Sequence, residues 1–204
     1  MSGKPNSSNR KRGGYHHGDL RAALLTAARG EVEQAGPERL SLRGLAHRLG
    51  VSQPAPFRHF PDREALLTAL ASEGFRELAG RLRAARGYDA TERLAVMADA
   101  YLAFAREQAG LYRLMFGTRL LHHAEPGGEL ARVAEESFDL LRQAVSALVP
   151  PADVDGVAVS IWSTLHGAAM LKELNLLHAE KASAAEVTRR TLAAHLQFTS
   201  GNGL

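Results

Sequence analysis

The chain has 204 residues, 45% of them apolar and 23% charged, a globular composition, and its lack of cysteine excludes disulfides, thiolate metal sites and a cysteine nucleophile. Apolar stretches break within about ten residues, short of the ~20 that span a bilayer, and MSGKPNSSNRKRGG offers no apolar run behind its basic residues, which predicts a soluble, cytoplasmic protein. The net charge of +3 is uneven: residues 1–60 hold ten Lys/Arg against four Asp/Glu, and the remainder fifteen against eighteen, so a basic front precedes a mildly acidic body.

Residues 1–14 carry Lys4, Arg10, Lys11 and Arg12 among Ser, Asn, Gly and Pro, the composition of a disordered basic tail. Helical periodicity dominates after it, and period-2 alternation is nearly absent. Asp19 is placed to cap a first helix running to about Ala35, closed by Gly36-Pro37. Ser41 caps a short second helix with Leu42, Leu45, Ala46 and Leu49 on one face, stopped by Gly50. Ser52 opens a third of barely two turns, to about Phe60, and Pro61-Asp62 starts a long fourth to about Arg86. Helices are predicted further at 89–108, 110–117, 128–149, 153–178 and 183–199. The expected fold is all-α, about nine helices: a three-helix helix-turn-helix domain over 15–61, then a helical bundle over 62–204.

Residues 41–60 read SLRGLAHRLGVSQPAPFRHF. Two short helices around Leu49-Gly50-Val51 meet the demands of a helix-turn-helix, with glycine to turn the chain and Ala46 small enough for close packing. The second of the two helices would present its first residues to a DNA groove. Gln53 suits adenine, and Arg58 and His59 suit phosphate or guanine. Pro54 and Pro56 sit in the first turn, where a missing N–H is tolerated.

Val51-Ser52, Phe57-Arg58-His59-Phe60 and Asp62-Arg63-Glu64-Ala65-Leu66-Leu67 resemble the front domain of the TetR family of bacterial transcriptional repressors. Tyr15-His16-His17-Gly18-Asp19-Leu20 and Ile161-Trp162-Ser163-Thr164-Leu165-His166-Gly167 resemble its branch with a Trp-His-Gly C-terminal domain. Phe57 stands where Tyr is usual, without the phenol that would meet a phosphate; Arg63 replaces the usual Lys, keeping the charge. The resemblance implies a homodimer reading a palindromic operator, with a small-molecule pocket in the bundle. It makes Tyr15, His16, Ser41, Arg43, Ser52, Gln53, Pro54, Ala55, Phe57, Arg58, His59 and Arg63 the DNA-facing candidates. His16 and His17 equally suit a cap.

Tyr101, Phe104, Tyr112, Met115, Phe116, Trp162, His166 and Met170 are the pocket candidates, being aromatic or Met residues with a few polar tips. The same stripe also reads as plain core. The helix at 153–178 is apolar almost all round, which suits burial against both its own core and a partner chain, and with 183–199 it forms the expected dimer face. Helices buried inside a monomer would look alike. His122-His123 and Glu125 read as a solvated loop in preference to a metal site. No nucleophile elbow, P-loop, zinc-protease or dinucleotide fingerprint occurs, so neither enzyme nor cofactor is expected. A DNA-binding protein without ligand control is the remaining alternative.

Overall fold

The computed structural model describes residues 17–117 and 119–173, with 186, 189–191 and 193–194 beyond them. Seven α-helices and three short 3₁₀ turns make up the described residues, and no strand occurs among them. Helix α1 (His17–Ala35) begins two residues before Asp19, which therefore lies inside the first turn and not at the cap. It buries Leu20, Leu24, Leu25, Ala28 and Val32, and ends where the Gly36 N–H donates to the Val32 carbonyl at 3.0 Å.

A 3₁₀ turn at Pro37–Arg39 leads to α2 (Leu42–Leu49). As expected, Ser41 Oγ accepts from the Gly44 N–H at 3.0 Å, a cap of about 1 kcal/mol. Gly50 closes the helix in the left-handed region at φ 65°, where a β-carbon would be strained.

The third predicted helix does not form as an α-helix. Residues 53–55 make a turn, followed by a 3₁₀ turn at Pro56–Arg58, with Ala55 N–H bonded to Ser52 O and His59 N–H to Pro56 O. Pro54 falls where an N–H would lack a partner, but Pro56 has no N–H to give the Ser52 carbonyl, the first bond of an α-helix starting there, and the Ala55 N–H takes that carbonyl in a tighter turn instead, with Ala55 itself at α angles. That residual turn is all the segment supports.

Asp62 Oδ1 accepts from the Ala65 N–H at 2.8 Å and starts α3 (Arg63–Ala84), the longest helix among the described residues, which packs against α1 and three helices of the bundle. Asp89 does the same for α4 (Ala90–Glu107), bonding the Glu92 N–H at 2.8 Å. Then come α5 (Ala109–Phe116), α6 (Glu129–Ser146) and, after the Pro150-Pro151 break, α7 (Val154–Glu173). One continuous apolar core runs from Leu20 in α1 to Leu165 in α7, so front and bundle share it. The expected last helix and the end of the one before it fall mainly outside the described residues; 186, 189–191 and 193–194 are helical. On α7, Val157, Ala158, Ile161 and Leu165 face the core while Val159 stays 52% and Leu171 41% exposed.

Candidate functional site

Three places carry the functional residues: the front turn, an aromatic cluster in the bundle, and the seam between them. At the front, Pro56 and Phe60 are buried, with the Arg21 guanidinium 5.3 Å from the Phe60 ring centre. These anchors turn Ser52, Gln53, Pro54, Phe57 and Arg58 outward, beside exposed Ser41 and Arg43 of the α2 start. Phe57, 44% exposed, is a large apolar ring held in solvent. His59 is half-buried, and Ala55 packs partly against the core. Tyr15 and His16 lie outside the described residues. Arg63, expected at a phosphate, is exposed but turns its fork inward: Nε donates to Leu40 O at 3.0 Å and Nη2 to Pro37 O at 2.5 Å. It ties the start of α3 to the segment before α2.

In the bundle, Tyr101, Tyr112, Phe116, Trp162 and His166 come together. Tyr101 meets Trp162 edge to face at 5.1 Å between ring centres and Tyr112 at 6.0 Å; Phe116 meets His166 at 5.0 Å. The polar tips converge too. Tyr112 Oη lies 2.6 Å from His166 Nδ1 and 2.8 Å from Tyr101 Oη, which is itself 3.5 Å from the same Nδ1. Burial, then the neighbouring Tyr112, pushes the Tyr101 phenol far up, and burial holds His166 below the usual imidazole value, so both are neutral at pH 7. A narrow apolar void of about 10 Å³, roughly one water, adjoins Tyr101 and Trp162, walled by Leu82, Leu94, Met97, Leu141 and Leu165.

Three expected pocket residues lie elsewhere. Phe104 is buried beneath the Arg81 guanidinium, 5.3 Å from its ring centre, and Met115 is buried where α5 meets Gly74 of α3. Met170 edges an outer hollow with Gln34, Pro37, Arg39 and Arg113. Phe75 and Phe138 join the cluster instead, 5.2 Å from Phe116 and 5.6 Å from Trp162; Phe75 reads in sequence as plain core, and Phe138 carries no signal of its own. Exposed His122 and His123 meet edge to face with ring centres 5.2 Å apart, and among the described residues no group of three His, Asp or Glu is placed to hold a metal ion.

The seam was invisible to periodicity. Glu33, near the end of α1, accepts from the Gly110 N–H at 2.9 Å and the Leu111 N–H at 2.8 Å. Gly110 makes this approach possible: a β-carbon there would lie 2.6 Å from Val32 O and 2.7 Å from Glu33 Cα. Beside it, Arg29 Nη2 donates to Gln108 Oε1 at 2.9 Å and to Glu77 Oε2 at 2.5 Å, and Arg81 bridges Glu77 and Glu107. Burial raises the Glu77 carboxyl, but Arg29 and Arg81 outweigh it and hold the group below the carboxylate range. Helix α5 thus has its first turn bound to the front and its Tyr112 and Phe116 in the cluster.

Comparison with known proteins matches this layout. Residues 24–70 fit the model of bacterial regulatory proteins of the tetR family, and residues 94–195 that of the tetracyclin repressor-like C-terminal domain. A solved structure of a protein of unknown function from Rhodococcus sp. RHA1 is 34% identical, with a TM-score of 0.76, covering 92% of this chain and 98% of that one. The nucleoid occlusion factor SlmA of Vibrio vulnificus is 30% identical over 115 residues, 55% of this chain and 59% of its own length. The class C tetracycline repressor protein of Escherichia coli is 47% identical over 51 residues, 25% of this chain and 23% of its own. No helix among the described residues is long and apolar enough to cross a membrane. With family models matching its front and half of its length behind, the chain belongs to the TetR family of bacterial regulatory proteins, an all-helical transcription regulator with a helix-turn-helix DNA-binding domain.

Proposed function

We propose that this chain is a ligand-responsive repressor that binds a palindromic operator as a homodimer in the cytoplasm and is released by a small apolar or amphipathic effector. The observation that carries the reading is α5, which touches the front through Glu33 and the aromatic cluster through Tyr112. Residues 15–61 form the reading unit and 62–204 the effector and dimer unit, after a basic tail at 1–14. Gln53 reads a base edge, Arg58 and Arg43 meet phosphates, and Phe57 packs on sugar or a thymine methyl. The exposed side of α7 that bears Val159 meets its symmetry mate. Paired reading units must stand roughly 34–36 Å apart to enter successive grooves. An effector that favours a differently spaced dimer weakens operator binding by its preference between the two states, ~1–3 kcal/mol. The name of the tetracycline repressor, close to this chain at the front, agrees with repression.

Selection of bound duplexes from a random pool tests the reading. It should yield an inverted repeat with half-site centres one helical turn apart, held by two chains. Recovery of no motif, or of an isolated half-site bound by one chain, overturns it. A repressor without ligand control would give the same motif but no compound that both raises its melting temperature and frees the DNA.

A further inference from the structure

The reading turn at 52–60 has little backbone to offer a base. The N–H groups of Ala55, Arg58, His59 and Phe60 are spent on the carbonyls of Ser52, Ala55 and Pro56, and Pro54 and Pro56 carry none. Polar reading therefore falls mainly to side chains, and the exposed polar ones are Ser52, Gln53 and Arg58. The other exposed side chains of the turn, Pro54 and Phe57, are apolar throughout. Phe57 has no phenol to bond a phosphate, and 44% of it stays in solvent while Pro56 and Phe60 are buried.

An apolar ring on a DNA-facing turn gains by leaving water, and it needs an apolar partner to do so. In the major groove the four base pairs expose a single apolar group, the C5-methyl of thymine. Sugars present apolar edges too, but they adjoin the phosphates, where a hydroxyl or a cation gains more than a phenyl ring does. Resting on the operator reading above, we propose that Phe57 reads a pyrimidine C5-methyl in each half-site. The ring senses the methyl and not the polar edge of the base. It therefore favours thymine over uracil, and 5-methylcytosine over cytosine, by the same factor. Methylation of a cytosine at that position becomes a mark that the regulator detects.

The duplex selected from the random pool supplies the operator for the test, with the full chain as it stands. Each thymine is replaced in turn by deoxyuridine, symmetrically in both half-sites, which removes the methyl and nothing else. At one position the exchange should weaken binding about fifteenfold, roughly fourfold for each methyl lost. Phe57→Ala should bind the thymine and uracil duplexes alike at that position. Its melting temperature and its slope of log affinity against log salt should stay those of wild type, because the ring is exposed and carries no charge. Cytosine placed there should gain the same factor on C5-methylation with wild type and nothing with Phe57→Ala. If uracil costs nothing at any position, or costs Phe57→Ala as much as wild type, the inference falls and operator binding stands. A weaker Phe57→Ala with the uracil penalty intact would put the ring on a sugar, which also overturns it. A pool that yields no motif removes the operator reading itself, and the inference with it.

Discussion

Glu33 caps a helix that belongs to another part of the chain: its carboxylate accepts the Leu111 N–H at 2.8 Å from 78 residues away, and Gly110 binds its second oxygen. A negative group at a helix N-terminus meets both orphan donors and the favourable end of the helix dipole. The bond couples the front unit to the helix that carries Tyr112.

Removing that carboxylate should loosen the join. Glu33→Ala is expected to lose about 1–2 kcal/mol of stability in urea unfolding, and Glu33→Gln, which keeps one acceptor, less than half of that. Amide exchange should accelerate at Gly110 and Leu111 before it does in α3. Gly110→Ala should lose about 1–3 kcal/mol by forcing α1 off α5.

Arg58 and Arg63 should separate in their salt dependence. Arg58 is exposed, so Arg58→Ala, which removes one phosphate contact from each of two chains, should flatten the slope of log affinity against log salt by about 1.8. Arg63 holds the Leu40 and Pro37 carbonyls, so Arg63→Ala should lower the melting temperature first, and change the slope by less. Equal slopes with equal melting temperatures would mean that the inward bonds of Arg63 count for nothing.

Gln53, exposed at the start of the reading turn, should set one base in each half-site. Gln53→Ala is expected to lose ~1–3 kcal/mol of discrimination at that position and none at the others, read by comparing selected motifs of wild type and variant.

Acid should weaken the seam through Glu77. Its folded value lies below the ordinary 4.5, so the stability it contributes is complete above that value and fades as pH falls through the lower folded one. Stability of wild type and Glu77→Gln should therefore converge below pH 4.5, with the difference at neutral pH constant between 6 and 8. A gap that widens on acidification would reverse the assignment.

Much of the frame was legible because it is local. Ser41, Asp62 and Asp89 each cap the helix that follows, and Gly50 turns where the spacing of Leu42, Leu45 and Leu49 runs out. The third helix escapes such a reading because Pro54 alone is tolerated in a first turn, whereas Pro56 removes the N–H that would make the first α-helical bond, to the Ser52 carbonyl. At the bundle, periodicity placed Tyr101 and Phe104 on one stripe, yet three residues along α4 is enough to send one ring to Tyr112 and the other under Arg81. Glu33 could not be read at all. Its partners are backbone N–H groups, which any residue supplies, so the sequence around Gly110 holds no trace of the acid that binds there.

The tight contact of Gly110 on Val32 also limits how far this protein can be treated as interchangeable parts. A chimera that joined this reading unit to a foreign bundle at residue 61 would need glycine at the matching helix start and a carboxylate reaching it. Without both, the graft would leave a steric wedge and two bare amides at the boundary, so a swap meant to retarget the regulator should carry α5 along with the front.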